Sequence, residues 1–215
     1  MLAPYPDVVT PLVKSQGWDR VPGFGNVDEL AMLVQRAHPG RAVKLVAHHS
    51  VEAHLFGDGR LPPYRLFVEG DGGDWEPAAL VRPFDWPSGT RSHVLTAASL
   101  VRTLRTLFGR QRSPIHVPGP NGLPGGYPCV AGGGDREVAL PPGLTLADAL
   151  AVNRDGQRAD GITRIDDDGT VWLAARAQVG VKRAFGVGWD RLAPHTMTAL
   201  ADDLSQRPHL NAGKR

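Results

Sequence analysis

Residues 118–128 place the strongest constraint on how this chain can fold. The stretch reads PGPNGLPGGYP, and eight of its eleven residues are glycine or proline. Glycine adopts backbone conformations that other residues avoid, and proline fixes φ and lacks a backbone donor, so the stretch favours an irregular loop. Two interpretations stay open: successive turns around the core, or a stiff loop whose glycines let a ligand approach the backbone.

The loop also carries polar groups that suit a small ligand. Asn121 can donate and accept hydrogen bonds, and Tyr127 adds a ring with a hydroxyl. A short strand at residues 115–117 would bring His116 to the loop. The predicted substrate-binding residues are His116, Asn121, Gly122, Gly125, Gly126 and Tyr127. We expect the loop to form a wall of the main pocket and to face at least one histidine of the set His48, His49 and His116.

A second candidate site follows the apolar strand predicted around Leu45. Residues 47–54 read AHHSVEAH, with three histidines in close succession. In a continuing strand His48 and His49 would point to opposite faces, and in a helix the zinc-protease spacing H-E-x-x-H is absent. A structural histidine pair, a catalytic or substrate-binding histidine and a metal site all remain open. We predict His48 and His49 as catalytic residues, because imidazole titrates near neutral pH, and we predict no metal ligands.

The hydrophobic pattern alternates between helical and strand periods along the chain. A helix is predicted from Val27 until Pro39-Gly40, a second over residues 95–108, and a third that begins at a capping box of Thr145 and Asp148. A hairpin at residues 162–173 and two further helices follow. The expected fold class is α/β or α+β, a single mixed-sheet domain with flanking amphipathic helices and a C-terminal hairpin plus helices. Its core should draw on the segments around Leu45, Leu104 and Leu200.

The predicted organisation is an extended arm over residues 1–26, one domain over 27–207 and a flexible tail over 208–215. A short turn of helix at residues 7–13 is the alternative for part of the arm. The 24 basic and 22 acidic residues nearly cancel and form no basic patch, so neither nucleic-acid nor membrane binding is expected. The single cysteine and the absence of a long apolar run predict a soluble cytoplasmic protein.

Five segments together resemble the substrate-side, C-terminal region of NAD(P)-dependent oxidoreductases of the saccharopine or opine dehydrogenase kind. These segments read YPDVVTPLV, GFGNVDEL, KLVAHHSVEAHLFG, HVPGPNGLPGGYP and ADGITRIDDDGTV. The resemblance implies an α/β substrate domain in which charged or imidazole side chains hold an amino-acid or keto-acid carboxylate. The chain lacks the N-terminal strand, glycine-rich turn and helix of a nucleotide-binding domain, so NAD(P) would be a cofactor only if a separate or missing domain supplied its site.

The leading functional prediction is a small-molecule-binding enzyme domain that acts on a polar, carboxylate-bearing metabolite. If the chain is an enzyme, we expect it to be related to oxidoreductases. One alternative is a non-catalytic module for ligand binding or protein interaction, and the other is a metal-dependent hydrolase. A partner domain or a second copy of the chain is compatible with each of them.

Overall fold

The computed structural model describes residues 7–18, 20–21, 23–40, 42–57, 67–70, 73–74 and 90–206. The predicted tail at 208–215 and the first residues of the predicted arm and of the strand expected at 64–68 lie outside the described residues. The helices are α1 Val9–Ser15, α2 Val27–Ala37, α3 Ser50–Gly57, α4 Thr90–Phe108, α5 Leu146–Ala159, α6 Ala175–Phe185 and α7 Pro194–Ser205. The strands are β1 Lys44–Val46, β2 Phe67–Gly70, β3 Gly73–Asp74, β4 Ser113–Pro118, β5 Gly126–Gly132, β6 Asp135–Val138, β7 Ile162–Ile165, β8 Val171–Leu173 and β9 Arg191–Leu192.

The described strands form three antiparallel sheets, with the orders β1-β2-β3, β4-β5-β6 and β7-β8-β9. An isolated bridge between Ala47 and Gly126 connects the end of β1 to the start of β5. The mixture of helices and strands confirms the predicted fold class, and the antiparallel pairing places the chain on its α+β side. The C-terminal hairpin β7-β8 followed by α6 and α7 is confirmed as well. No helix among the described residues is long and apolar enough to cross a membrane.

Only part of the glycine- and proline-rich stretch at residues 118–128 forms a loop, although its composition suggests a loop throughout. It turns through a 3₁₀ segment at Pro120–Gly122 and then enters strand β5 at Gly126. This strand was not predicted, because its glycines and Pro128 conceal the alternation of Tyr127, Cys129 and Ala131, which are all buried. Burial of these side chains outweighs the low strand propensity of glycine and proline.

The core lies between β1, β4 and β5 and the helices that cover them. Its buried apolar residues are Val46, Leu107, Ile115, Val117, Tyr127, Cys129, Ala131, Ala149 and Val152. Leu45 is buried as expected, and α4 contributes Leu107 in place of the expected Leu104, which is only half-buried. The expected contribution of α7 is wrong, since Leu200 is half-buried and no residue of that helix is buried.

Two local features position the candidate site. Residues Val9–Ser15, inside the segment predicted as an arm, form α1, so the helical alternative is the observed one. Thr10 of this helix packs against Gly119 so closely that no Cβ fits there, which fixes α1 against the loop. The predicted capping box is confirmed, because Thr145 accepts from Asp148 N–H while the Asp148 side chain accepts from Thr145 N–H. The cap defines where α5 begins.

Candidate functional site

Three separate segments bring their polar side chains together at one end of α5. His48 and His49 lie between the end of β1 and the start of α3. Asp7 directly precedes α1, and Asp160 is the residue that caps the C-terminal end of α5. These four residues are called the His49 cluster below. Residues far apart in the sequence therefore form a compact group of two carboxyl groups and two imidazoles.

His49 is held between the two carboxyl groups. Its Nε2 lies 2.9 Å from Asp160 Oδ2, and its Nδ1 lies 3.5 Å from Asp7 Oδ2. The backbone N–H of His49 donates to Asp7 Oδ2 at 2.7 Å, and the backbone N–H of Asp7 donates to His49 Nδ1 at 3.3 Å. The side chain of His49 is 22% exposed and that of Asp160 26% exposed, so this pair reaches solvent.

His48 lies beneath His49 and is closed off from solvent. The residue is 2% exposed, and the two imidazole ring centroids are 4.5 Å apart. Its Nδ1 lies 2.9 Å from Ser50 Oγ and accepts from Ser50 N–H at 3.3 Å, while its Nε2 lies 3.8 Å from Asp7 Oδ2. Gly156 of α5 packs on His48 with no room for a Cβ. A ligand can therefore meet His49 and Asp160, whereas His48 supports them from behind.

The carboxyl groups determine the charge of the cluster. Burial alone would lower the pKa of His49, but its hydrogen bonds and charge interactions with Asp160 and Asp7 outweigh burial and raise that pKa to about 10. Burial alone would raise the pKa of Asp7, yet the interactions with His49 and His48 hold it below its ordinary value. Burial lowers the pKa of His48, which Asp7 only partly offsets. The cluster thus pairs a charged His49 with carboxylates above a neutral His48.

Glu52 adds a third carboxyl group behind the cluster. Its Oε1 is shielded from solvent and has no hydrogen-bond partner among the described residues. Burial, and then the neighbouring carboxyl groups of Glu29 and Asp7, raise the pKa of Glu52 well above its ordinary value. Glu52 therefore keeps its proton and adds no negative charge beside Asp7.

A metal ion would find only part of what it needs in this cluster. Asp7, His48 and His49 each offer one ligand atom, and these atoms lie within 4.8 Å of one another. Two atoms that share a zinc ion can be no more than about 4.4 Å apart, because each lies about 2.0–2.2 Å from it. Asp7 Oδ2 meets this limit with His48 Nε2 at 3.8 Å and with His49 Nδ1 at 3.5 Å. Both ring nitrogens of His49 already face carboxyl oxygens, that of Asp160 at 2.9 Å and that of Asp7 at 3.5 Å. This geometry suits hydrogen bonding and proton transfer better than metal ligation.

A groove adjoins the cluster on the next face of α5. Its volume is about 720 Å³, within the usual range for small-ligand sites, and it lies between α1, the 3₁₀ turn, α5 and β7. Leu150, Arg154 and Gln157 line it at helical spacing. Gly156 and Asp160, on the neighbouring face of the same helix, contact the histidines. The groove and the His49 cluster therefore lie on neighbouring faces of the C-terminal half of α5.

The structure brings only some of the predicted site residues together. Gly122 lines the groove with Leu123 and Pro124, so the loop does form a pocket wall, but none of His48, His49 and His116 lines that groove. His116 is 6% exposed, and its Nε2 accepts from Leu45 N–H at 3.0 Å. It therefore lies within the core, apart from the His49 cluster.

The other loop residues have structural partners in this conformation. Asn121 is exposed and takes a positive φ of 56°, which asparagine tolerates better than most residues. Tyr127 is buried, and its hydroxyl donates to Pro124 O at 2.8 Å. At Gly125 a Cβ would overlap Asn153, and at Gly126 it would overlap Val27. Their predicted contacts with a substrate stay predictions.

Sequence reasoning missed Asp7 and Asp160. No pattern singled out Asp7, because it stands in a proline-rich segment without a clear period. Asp160 did carry a signal, since a carboxylate at the C-terminal end of a helix is unfavourable to the helix dipole and so indicates another role. That end could be located from the capping box and from Gly161.

No protein-family model, curated protein or solved structure matches this chain.

Proposed function

We propose that this chain is a small-molecule-binding enzyme domain that acts on a polar, carboxylate-bearing metabolite, with its acid–base chemistry at the solvent-facing pair His49 and Asp160. The observation that carries the proposal is the position of the His49 ring. Its two nitrogens face carboxyl groups on opposite sides, and the outer pair reaches solvent beside a groove of ligand size. An imidazole oriented by a carboxylate is a recurrent arrangement for general acid–base catalysis.

The four residues of the cluster have different roles in this proposal. Asp160 accepts a proton from the substrate, and the protonated His49 donates the proton of its Nε2 to the substrate. The proton on Asp160 then returns to His49 Nε2 across their 2.9 Å contact. Asp7 orients His49 because its carboxylate accepts from the backbone N–H of His49 at 2.7 Å and faces the Nδ1 atom of the ring at 3.5 Å. His48 fills the space between Gly156 and the His49 ring and acts as a positioning residue.

The resemblance to substrate-side regions of saccharopine- and opine-type oxidoreductases extends the proposal to one reaction class. In that case the metabolite would be oxidised or reduced by NAD(P) bound to a separate domain or partner chain. The pair of His49 and Asp160 would then exchange a proton with the substrate while the cofactor exchanged a hydride. Addition of NAD(P)H, together with a candidate partner domain, is the condition that distinguishes this class from a cofactor-free reaction.

The test combines metabolite capture with turnover. Purified protein is incubated with a cell metabolite extract, with and without NAD(P)H, and mass spectrometry identifies the compounds that bind or are consumed. For a consumed compound, His49→Gln and Asp160→Asn should each lower turnover by about 100-fold or more. His195→Gln, which changes an exposed histidine of α7, is the matched control and should leave turnover unchanged. Equal turnover in all four proteins would contradict the proposal.

Two further outcomes would favour the alternatives. A metabolite that raises the melting temperature but is never consumed, under any condition, would indicate a non-catalytic binding module. Stoichiometric zinc or manganese in freshly purified protein, lost in Asp7→Asn and His48→Gln, would indicate the metal-dependent hydrolase.

A further inference from the structure

The groove beside α5 contains two cationic side chains that no described acidic group neutralises. Lys14 of α1 and Arg154 of α5 both line the groove. The other groove cation, Arg164, forms an ion pair with Asp166 at 2.8 Å and stacks on the Trp172 ring. No ion pair within 4.0 Å of Lys14 or Arg154 occurs among the described residues. Two unpaired cations thus converge on one concave surface.

Gln157 supplies a polar group without a partner at the same place. The residue is 6% exposed, and it lines the groove one turn after Arg154. No described residue forms a hydrogen bond with its side-chain amide. The amide is not among the side-chain groups that are shielded from solvent without a partner, so it reaches the groove and can donate to a ligand there.

The glycine-rich turn fixes one of the two cations. Gly122 takes a positive φ of 74°, and its missing side chain leaves the space in which the aliphatic part of Lys14 lies. The stem of Lys14 is therefore held against the turn while its ammonium group extends along the groove. This contact connects the glycine of the turn with the placement of a charge.

We propose that Lys14, Arg154 and Gln157 form an oxyanion-binding site, which holds the carboxylate or phosphate group of a small molecule in the groove. The guanidinium and ammonium groups neutralise the anion, and the amide of Gln157 donates to it. This site deepens the proposed function, on which it rests, because the bound anion would anchor a substrate whose reacting end points toward Asp160. Asp167, also on the groove wall, favours an anion that carries a separate amino or hydroxyl group.

The experiment measures binding of two simple anions by isothermal titration calorimetry at constant ionic strength. Succinate probes the carboxylate, inorganic phosphate probes the phosphate, and succinamide is the uncharged analogue of succinate. We expect at least one anion to bind and succinamide not to bind. Lys14→Gln and Arg154→Gln should each raise the dissociation constant about tenfold or more, since each removes a charge-assisted hydrogen bond. The anion that binds more tightly identifies the ligand class.

Two controls separate this site from general effects of charge and from the His49 cluster. Lys182→Gln removes an exposed cation of α6 that does not line the groove, and it should leave the dissociation constant unchanged. His49→Gln should also leave anion binding unchanged within about twofold, since His49 does not line the groove. Lys14 and Arg154 are both exposed, so their substitution should not disturb folding.

The inference is overturned if neither anion binds, if succinamide binds as tightly as succinate, or if Lys182→Gln weakens binding as much as Lys14→Gln. Its failure differs from failure of the proposed function. Loss of turnover in His49→Gln without any anion binding would remove this site and keep the enzyme proposal. Anion binding together with turnover that is independent of His49 would keep this site and remove the enzyme proposal.

Discussion

Two buried groups of this protein each combine an aspartate with a histidine, and their environments differ. In the His49 cluster, Asp7 faces two imidazoles, and His49 has a second carboxyl group and contact with solvent. In the His116 cluster, defined here as Asp28, Arg102 and His116, Asp28 Oδ1 lies 3.4 Å from an arginine and accepts from the backbone N–H of His116 at 3.3 Å. His116 Nδ1 is buried without a partner among the described residues.

The two environments shift the same groups in opposite directions. The pKa of His49 rises to about 10, whereas burial, and then the charge of Arg102, lower the pKa of His116 to about 3. The pKa of Asp7 is lowered by its histidines, whereas burial raises the pKa of Asp28 despite Arg102. Burial alone therefore does not make a reactive site. A histidine is charged here where carboxyl groups flank it, and it is neutral where it is buried beside an arginine.

The largest expected effect comes from neutralising the two aspartates in turn. Asp7→Asn removes the charge that faces two histidines and should lower the free energy of unfolding at pH 7 by about 3 kcal/mol. Asp28→Asn should lower it by less than about 1 kcal/mol, because the burial of Asp28 already disfavours its charge and Arg102 can return to solvent. Urea denaturation of both variants measures the difference. Equal losses of unfolding free energy in the two variants would contradict the difference between the His49 cluster and the His116 cluster.

A backbone substitution tests how tightly α5 holds the His49 cluster. At Gly156→Ala the new methyl group would overlap the Cβ of His48, and the variant should lose about 2 kcal/mol of unfolding free energy. Gly180→Ala in α6 is the matched control, since its Cβ meets no atom within 4 Å and should stabilise the helix by about 0.5–1 kcal/mol. Thermal unfolding of the two variants measures whether Gly156→Ala destabilises the protein and whether Gly180→Ala stabilises it. Stabilisation by Gly156→Ala would contradict the close packing.

The pH dependence of the free energy of unfolding should show that the buried His116 is neutral in the folded protein. The unfolded chain takes up a proton at this residue below pH 6.5, whereas the folded protein does so only near pH 3. His116 therefore makes its full contribution to the free energy of unfolding above pH 6.5. Below that pH, this contribution declines by about 1.4 kcal/mol for each pH unit. Denaturation from pH 7 to pH 4 in wild type and His116→Gln measures this slope. A constant difference between the two proteins would show that the pKa of His116 is the same in the folded and the unfolded chain.

The smallest effect is expected at Glu52. Its pKa is raised well above the ordinary value, so the side chain already resembles glutamine in charge and shape. Glu52→Gln should change the free energy of unfolding by less than about 1 kcal/mol at pH 6. Chemical denaturation provides the measurement. A loss comparable with that of Asp7→Asn would indicate that Glu52 is ionised and belongs among the charged groups of the His49 cluster.

The elements that the sequence predicted were those with a local signal. The capping box at Thr145, the periodic helix from Val27 and the hairpin after Ile162 all appear where their residues indicate. Strand β5 was missed because its stability comes from burial of Tyr127 between other segments. Local propensity does not encode such long-range packing.

The residues of the candidate site were likewise predicted only where they had a local signal. His48 and His49 stood out as a pair after a strand, and the structure places them among carboxyl groups. Asp7 and Asp160 lie 42 residues before and 111 residues after His49, and only the tertiary fold brings them to it. His116 had a similar local context, but the arginine and the dry core around it could not be inferred from neighbouring residues.

The most direct test of the central claim compares single-turnover rates of His49→Gln and His116→Gln on a metabolite that the wild-type protein consumes. Rates are normalised to the folded fraction of each variant, so that loss of stability is not counted as loss of chemistry. We expect His49→Gln to be slower than wild type by about 100-fold or more, and folded His116→Gln to react within about twofold of wild type. Wild-type turnover by His49→Gln, or an equal loss in His116→Gln, would contradict this claim.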